Sequence, residues 1–488
     1  MTAMRKPSII IIGAGFGGIG MAVELRDKGF DEVTILERSD DLGGVWRDNT
    51  YPGLACDVPS SLYSYSFAPK SDWRQRYSGG TVIHDYLCDV AGRYGVRDAI
   101  HFGADVTDAE FDEATGRWSV HTADGAVRTA DVLIPAVGQL SRPAIPTIPG
   151  IDTFAGVSFH SAEWDHSVEL AGKRVACVGT GASAIQFVPA LQPEVAHLTL
   201  FQRTPAWVVP KMSNAYPPAE LELHARVPGI LRFERLLWWI FFETTALGLV
   251  DLSVIRWITK RVASLHLAKQ VEDPRLRAEL TPDYPVFCKR VLLSNDYYPA
   301  LTQPNVRVET TPITEITQDG VRTTDNVVHQ VDAIIYGTGF KGAEFLWPMN
   351  IYGRGGHKLA DVWAEGAHAY YGMTVPEFPN LFLLYGPNTN LSVGSIVYMI
   401  ESQTRYISQA VQLLADHPGH YLDVRADIEE RYNTTLRQRL DRSPWSLCSN
   451  WYRDSAGRIT NNWPGSPAVY RYRTRRFRPG DYILVPAA

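Results

Sequence analysis

Ser8-Ile-Ile-Ile-Ile12-Gly13-Ala-Gly15-Phe-Gly17-Gly18 decides the fold. A continuous apolar run ends in a GxGxxG turn, and Ile19 to Asp27 then favours helix, so the stretch reads strand, turn, helix. The glycines have separate duties. Gly13 permits the tight turn, Gly15 lets backbone approach a pyrophosphate, and Gly18 lets the helix pack on the strand with its N-terminus facing the anion. A second strand, Val33-Thr-Ile-Leu36, ends in Glu37, 19 positions after Gly18, where an acid accepts ribose hydroxyls.

The pattern recurs at Lys173-Arg-Val-Ala-Cys-Val-Gly179-Thr-Gly181-Ala-Ser183-Ala184, a GxGxxA turn. Its following strand, His197-Leu-Thr-Leu-Phe-Gln, ends at Arg203-Thr204, with Arg203 19 positions after Ala184. The charge there is reversed. An acid would repel a nucleotide 2′-phosphate, whereas a guanidinium binds it with two hydrogen bonds. The first loop therefore suits FAD and the second NADPH; the other reading of Arg203 is a surface cation. Two further strands, Asp131 to Gly138 and Asp332 to Gly339, end alike in glycine, and a small β-meander is expected between Ala104 and Ala136. The fold expected is α/β, with two Rossmann-like dinucleotide-binding domains and a helical insertion.

Composition bounds the partners. The 488 residues, 45% hydrophobic and 20% charged, support two or three domains. A net charge of -6 leaves no basic footprint for nucleic acid. Cys56, Cys88, Cys177, Cys288 and Cys448 are scattered, with no CxxC or Cys-His metal spacing, which fits a reducing cytoplasm and no metal. The apolar run Ile9 to Ile12 is too short for the core of a signal peptide.

Between the two loops lies Phe154-Ala-Gly-Val-Ser-Phe-His160-Ser-Ala-Glu-Trp164-Asp165. Its FxGxxxHxxxWD pattern resembles the fingerprint of the flavin-dependent Baeyer-Villiger monooxygenases. A linker between moving domains needs a flexible point, anchoring aromatics and a polar group that changes partners; Gly156, Phe154 with Trp164, and His160 supply these in turn. His160 also reads as an ordinary packing histidine between aromatics.

The resemblance implies roles for further residues. Gly44, Val45 and Trp46 resemble a second flavin-contacting loop, with Phe16 and Tyr63 near the same cofactor. Asp57 would lie near the flavin ring; locally it reads equally as a turn aspartate before Pro59. Lys289 resembles the lysine that helps bind the NADPH phosphate and Arg290 the arginine that faces the flavin, though locally they form a solvated pair. Asn388 ends a strand near the flavin, a helix follows from Ile396 to Leu414, and Trp451 sits in a mobile loop over the nicotinamide or else at an interface. The division implied is residues 1–145 for FAD, 146–170 as linker, 171–330 for NADPH with a helical insertion at about 211–275, and 331–488 returning to FAD and the C-terminal loop. Residues 236–250 are the most apolar stretch, short of the ~20 residues that span a bilayer, and are expected to be buried or to line a substrate route, with a membrane-surface or oligomer contact left open.

The activity implied is insertion of one oxygen atom from O2 beside a ketone carbonyl, giving an ester or lactone through a C4a-peroxyflavin, with Arg290 and Asp57 as catalytic residues. The alternatives are a flavin monooxygenase oxidising nitrogen or sulfur, and a silent dinucleotide sensor. A disulfide reductase would need a CxxxxC that is absent. Partners expected are a small ketone and O2, with no nucleic acid and no membrane span; a homo-oligomer is left open.

Overall fold

The computed structural model describes residues 6–212, 215–249 and 253–487. Val250 and Asp251, which close the apolar run, lie outside them.

Ile9–Ile12 lies inside a parallel sheet, paired with Val33–Leu36 on one side and Val132–Pro135 on the other. Ile100–His101 completes the sheet beyond Val33–Leu36. All four isoleucines are buried because both faces are covered, which is why the strand reads as an unbroken apolar run. Ile9 and Ile11 enter a core with Ile19 and Val23 of the helix Phe16–Asp27 and Met399 and Ile407 of the helix Ile396–Asp416. Ile10 and Ile12 enter a second core with Trp118 and Val120.

A second sheet repeats the plan. Arg174–Val178 pairs in parallel with His197–Phe201 and Ala333–Tyr336, and Val306–Glu309 and Val157–His160 form its edges. In each half an antiparallel meander precedes the closing strand. Val106–Asp112, Arg117–Thr122 and Val127–Ala130 lead into Val132–Pro135. Ile313–Thr317, Gly320–Thr323 and Val328–Gln330 lead into Ala333–Tyr336. The chain crosses between halves near residues 142–144 and 339–341, where Ala144 N–H donates to the Gly339 carbonyl at 2.8 Å and Lys341 N–H to the Arg142 carbonyl at 3.0 Å.

Three expectations need correction. The fingerprint is a strand of the second sheet as well as a linker, since Val157–His160 pairs residue for residue with Ala333–Tyr336. A division at 331 would cut that closing strand away from its own sheet; the hydrogen bonds move the return crossing to after Tyr336. The stretch 236–250 is not simply buried. Leu236, Leu237, Ile240, Phe241 and Leu247 are exposed, while Ala246 and Leu249 are buried and Trp238, Trp239 and Phe242 half-buried. The helix Pro228–Ala246 is apolar around much of its circumference but lies on the surface, so only one face finds a core. Among the described residues no single helix is long and apolar enough to cross a membrane.

Candidate active site

The first glycine loop opens into a long cleft. Its walls include Gly13 to Gly17, Glu37, Gly44, Val45, Tyr63 and, at the far end, Tyr385, Ile396 and Ile400. Gly13 has φ +102°, and a Cβ there would meet the Ala136 carbonyl oxygen at 2.9 Å; one on Gly18 would sit 1.9 Å from the Gly13 oxygen. Only glycine lets strand, turn and helix close this tightly. Gly15 and Gly44 face one another, since a Cβ on Gly44 would reach the Gly15 Cα at 3.3 Å. The buried Glu37 carboxylate accepts from Ala14 N–H at 2.8 Å and Ser39 N–H at 3.1 Å. Arg47, which the sequence reading passed over, reaches it at 3.3 Å and so ties it to the second loop. A buried acid, a glycine turn ahead of a helix N-terminus and apolar walls line one cleft and match ribose, pyrophosphate and flavin ring, so the residues present fit FAD.

The flavin-end aromatics support one another. Trp46 Nε1 donates to the Tyr63 hydroxyl at 3.2 Å, and Phe16 packs edge-on to Tyr63 at 5.2 Å.

The second loop has the same close approach: Gly179 has φ +112°, and a Cβ would stand 2.4 Å from the Gly337 oxygen. Thr180 donates to the Thr204 carbonyl at 2.8 Å, holding the turn against the end of the next strand. Gly181 is exposed and Ser183 half-buried, ahead of the helix Ala184–Leu191. Arg203 is exposed, and its charge reaches Lys289. Burial pulls the Lys289 ammonium below its usual value and the Arg203 charge pulls it further, so two cations converge where the sequence placed a 2′-phosphate. These residues fit NADPH.

Arg290 and Asp57, 233 positions apart, form an ion pair. Arg290 Nε and Nη2 both donate to Asp57 Oδ2, at 2.9 and 2.7 Å, and Nη1 donates to the Leu391 carbonyl at 3.1 Å. Burial opposes the Arg290 charge, but the Asp57 carboxylate outweighs it by charge and hydrogen bonding and holds the guanidinium above its ordinary value. Arg290 therefore stays charged at any working pH. It lies beside the cleft: its charge acts on Tyr385, whose hydroxyl donates to Asn390 Oδ1 at 2.6 Å, next to Leu391.

Gln186 is a link the sequence did not disclose. It accepts from the Tyr51 hydroxyl at 3.0 Å and donates to the Ala55 carbonyl at 2.9 Å, so the helix behind the second glycine loop braces the segment that carries Asp57. Gly53 is pressed to the same helix, where a Cβ would meet the Gln186 oxygen at 2.6 Å. The motif Tyr51-Pro-Gly-Leu was the available signal, a turn with a distant contact.

The remaining residues of the cofactor and linker readings are held by contacts of their own. Asn388 is buried and its side chain donates to the Ile459 and Asn462 carbonyls, fastening the C-terminal loop. Trp451 packs on that loop's Tyr452 at 4.6 Å and lies against Gly342, a residue of the cleft wall. Gly156 serves close packing, because a Cβ would meet the Asp332 oxygen at 2.5 Å and the Phe154 ring at 2.7 Å. His160 is buried; its Nδ1 accepts from Ala162 N–H at 3.1 Å and its ring meets Phe340 edge-on at 5.8 Å. Burial lowers its pKa, partly offset by the Gly339 backbone, so the ring is neutral at pH 7. Trp164 wedges between Phe159 and Phe187, whereas Asp165 is exposed and accepts from Ser167, closing its own turn.

Cysteine spacing also concealed two contacts. Cys288 and Cys448, 160 positions apart, form a disulfide that joins the Lys289-Arg290 segment to the loop of Trp451. Asp41, His84 and Cys88 bring possible metal-ligand atoms within 4.8 Å of one another, with His84 Nε2 at 2.9 Å from the Leu42 carbonyl.

Residues 6–440 match the family model for flavin-binding monooxygenase-like proteins. A Baeyer-Villiger monooxygenase of Streptomyces coelicolor is 43% identical, over 98% of this chain and 93% of its own length. One of Pseudomonas aeruginosa is 41% identical, over 99% and 92%. An oxidised steroid monooxygenase bound to NADP superposes with a TM-score of 0.87 at 28% identity, covering 99% of this chain and 100% of that one. A cyclohexanone monooxygenase from Rhodococcus sp. Phi1 bound to NADP+ does so with the same score and identity, covering 99% of both chains. The chain belongs to the flavin-binding monooxygenase family and, within it, to the Baeyer-Villiger monooxygenases.

Proposed function

We propose that Arg290 is the catalytic side chain of an FAD- and NADPH-dependent oxygenation that converts a ketone to an ester or lactone. The observation that carries this is the charged fork of Arg290, fixed by Asp57 and Leu391, whose charge acts on Tyr385 of the cleft wall. The two cofactors supply the redox chemistry, NADPH giving the electrons and one oxygen atom of O2 passing to the ketone while the other leaves as water.

The protein's part is binding and electrostatics. Gly13 to Gly18 and Glu37 hold the FAD pyrophosphate and ribose, and residues 1–145 with the chain after the return crossing form that domain. Gly179 to Ala184, Thr204, Arg203 and Lys289 hold NADPH in the other. A guanidinium stabilises the negative charge that oxygen develops, and it has no accessible proton loss by which to quench it. Asp57 is a positioning residue, an acceptor that aims the fork. NADPH supply favours the cytoplasm as the place of work.

The test is NADPH and O2 consumption with cyclic, linear and aryl ketones, followed by product identification. Ester or lactone in step with NADPH consumption supports the reading. Oxidation confined to amines or sulfides, or NADPH binding without O2 consumption, would reject it.

A further inference from the structure

The two long helices of the insertion carry apolar side chains on the wrong side for a core. On Pro228–Ala246, Phe233, Leu237 and Phe241 recur at helical spacing and are 60%, 50% and 53% exposed. On Ser253–Gln270, Val254, Trp257 and Ile258 are 57%, 66% and 48% exposed, with Val262 and Leu265 continuing the stripe. A soluble surface seldom leaves so many large apolar groups uncovered in one place.

On the described residues of these two helices the exposed charges are cations, while Glu222, Glu272 and Asp273 are exposed on the segments that flank them. Arg232, Lys260, Arg261 and Lys269 are exposed. The two acids on the described residues of these helices turn inward. Glu234 accepts from the Tyr216 hydroxyl at 2.7 Å and Trp238 Nε1 at 3.1 Å, and Glu243 accepts from Ala468 N–H at 2.8 Å. That last bond fastens the helix Pro467–Thr474 beside them, with exposed Tyr472 and the basic run Arg471, Arg473, Arg475 and Arg476. A chain of net charge -6 has thus gathered cations around its most apolar exposed face.

We infer that this face docks on the surface of an anionic lipid bilayer, its apolar stripes entering the headgroup boundary and its Lys, Arg and Tyr side chains meeting the headgroups. Amphipathic helices with cationic rims bind bilayers in this way, their aromatic residues seated at the boundary. With 107° between their axes, the two helices do not form one straight span. A second copy fits less well, because a two-fold interface would bring each copy's cationic rim toward the other's. The Pro228–Ala246 helix also touches the site's surroundings, with Arg235 donating to the Ser61 and Ser64 carbonyls on either side of Tyr63. The docked surface would be the one from which an apolar ketone reaches the cleft.

The test is cosedimentation of the intact flavoprotein with vesicles of phosphatidylcholine, with and without phosphatidylglycerol, alongside sedimentation velocity without lipid. Binding to the anionic vesicles, weaker in high salt and absent with neutral ones, is expected. At about 1 kcal/mol per cation near the surface, a Lys260→Gln/Arg261→Gln double variant should partition about thirtyfold less. Phe241→Ser/Trp257→Ser should lose binding while oxidising a water-soluble ketone at the parent rate, which separates this inference from the assignment of function. Equal binding to both vesicle types, or to neither, overturns it. So does a dimer in the parent that becomes monomeric in the serine variant, which would mean a second copy covers the face.

Discussion

Replacing Arg290 by alanine removes two hydrogen bonds to Asp57 and one to the Leu391 carbonyl, and with them the fixed positive charge beside the cleft. The pair is about three-quarters buried, with side chains 28% and 26% exposed, so Asp57 loses its partner in a poorly hydrated place. Loss of one preorganised charge aimed at developing negative charge costs about a hundredfold to a thousandfold in rate, or about 2.7–4 kcal/mol of barrier. The unpaired carboxylate should lower stability by about 1–3 kcal/mol, enough to move Tm without unfolding a chain of this size. Arg290→Lys keeps a charge but not the fork, so it should recover Tm better than it recovers rate. The assay measures NADPH oxidation, ester formation and hydrogen peroxide in the same vessel, with bound FAD followed by absorbance. Arg290→Ala should retain FAD and divert the NADPH it consumes to peroxide. Ester formation at the parental rate would refute the assignment.

Arg203→Ala should weaken NADPH binding about tenfold to a hundredfold and leave NADH nearly unchanged, read from KM for each nucleotide; equal loss for both would remove the 2′-phosphate assignment. Because the Lys289 pKa is lowered, its charge is lost as pH rises, so affinity for NADPH should fall on the alkaline side, and at higher pH in Arg203→Ala, where one cause of the lowering is gone. His160 is neutral in the folded chain with its pKa held below 6.5, so the unfolded chain binds the extra proton first. Its contribution to stability is therefore full above pH 6.5 and declines as pH falls toward the folded value; the Tm difference between the parent and His160→Asn should shrink on acidification, and a constant difference would contradict the burial argument. Gly156→Ala should cost about 1–3 kcal/mol through overpacking against the Asp332 carbonyl, whereas unchanged Tm would favour a purely flexible role.

The readings that held rest on short-range physics. Gly13 to Gly18 and Gly179 to Ala184 declare themselves because strand, turn and helix must close within a few residues, and the Cβ contacts at Gly13, Gly18 and Gly179 are the cause. The helix expected from Ile396 to Leu414 runs from Ile396 to Asp416 and is buried around most of its circumference from Met399 to Ser408. Long-range contacts were mostly hidden. Nothing local pairs Asp57 with Arg290 across 233 positions, and only family resemblance placed them together. For Gln186 against Tyr51 the turn Tyr51-Pro-Gly-Leu signalled a contact but not its partner, and Cys288 against Cys448 had no signal of its own. Gly156 was read as freedom and is a close approach, since sequence does not distinguish the two uses of glycine. Residues 236–250 were left between burial, a substrate route and a surface contact because a stretch apolar on many sides has no pattern showing which side faces solvent.

The central claim is that the chain places one atom of O2 into a ketone at the expense of NADPH. Turnover of a ketone under isotopically labelled O2 in ordinary water, with mass spectrometry of the product, tests it most directly. The account predicts an ester or lactone carrying one labelled oxygen for each NADPH consumed. Unlabelled product, or label found only in hydrogen peroxide across every ketone tried, would contradict it.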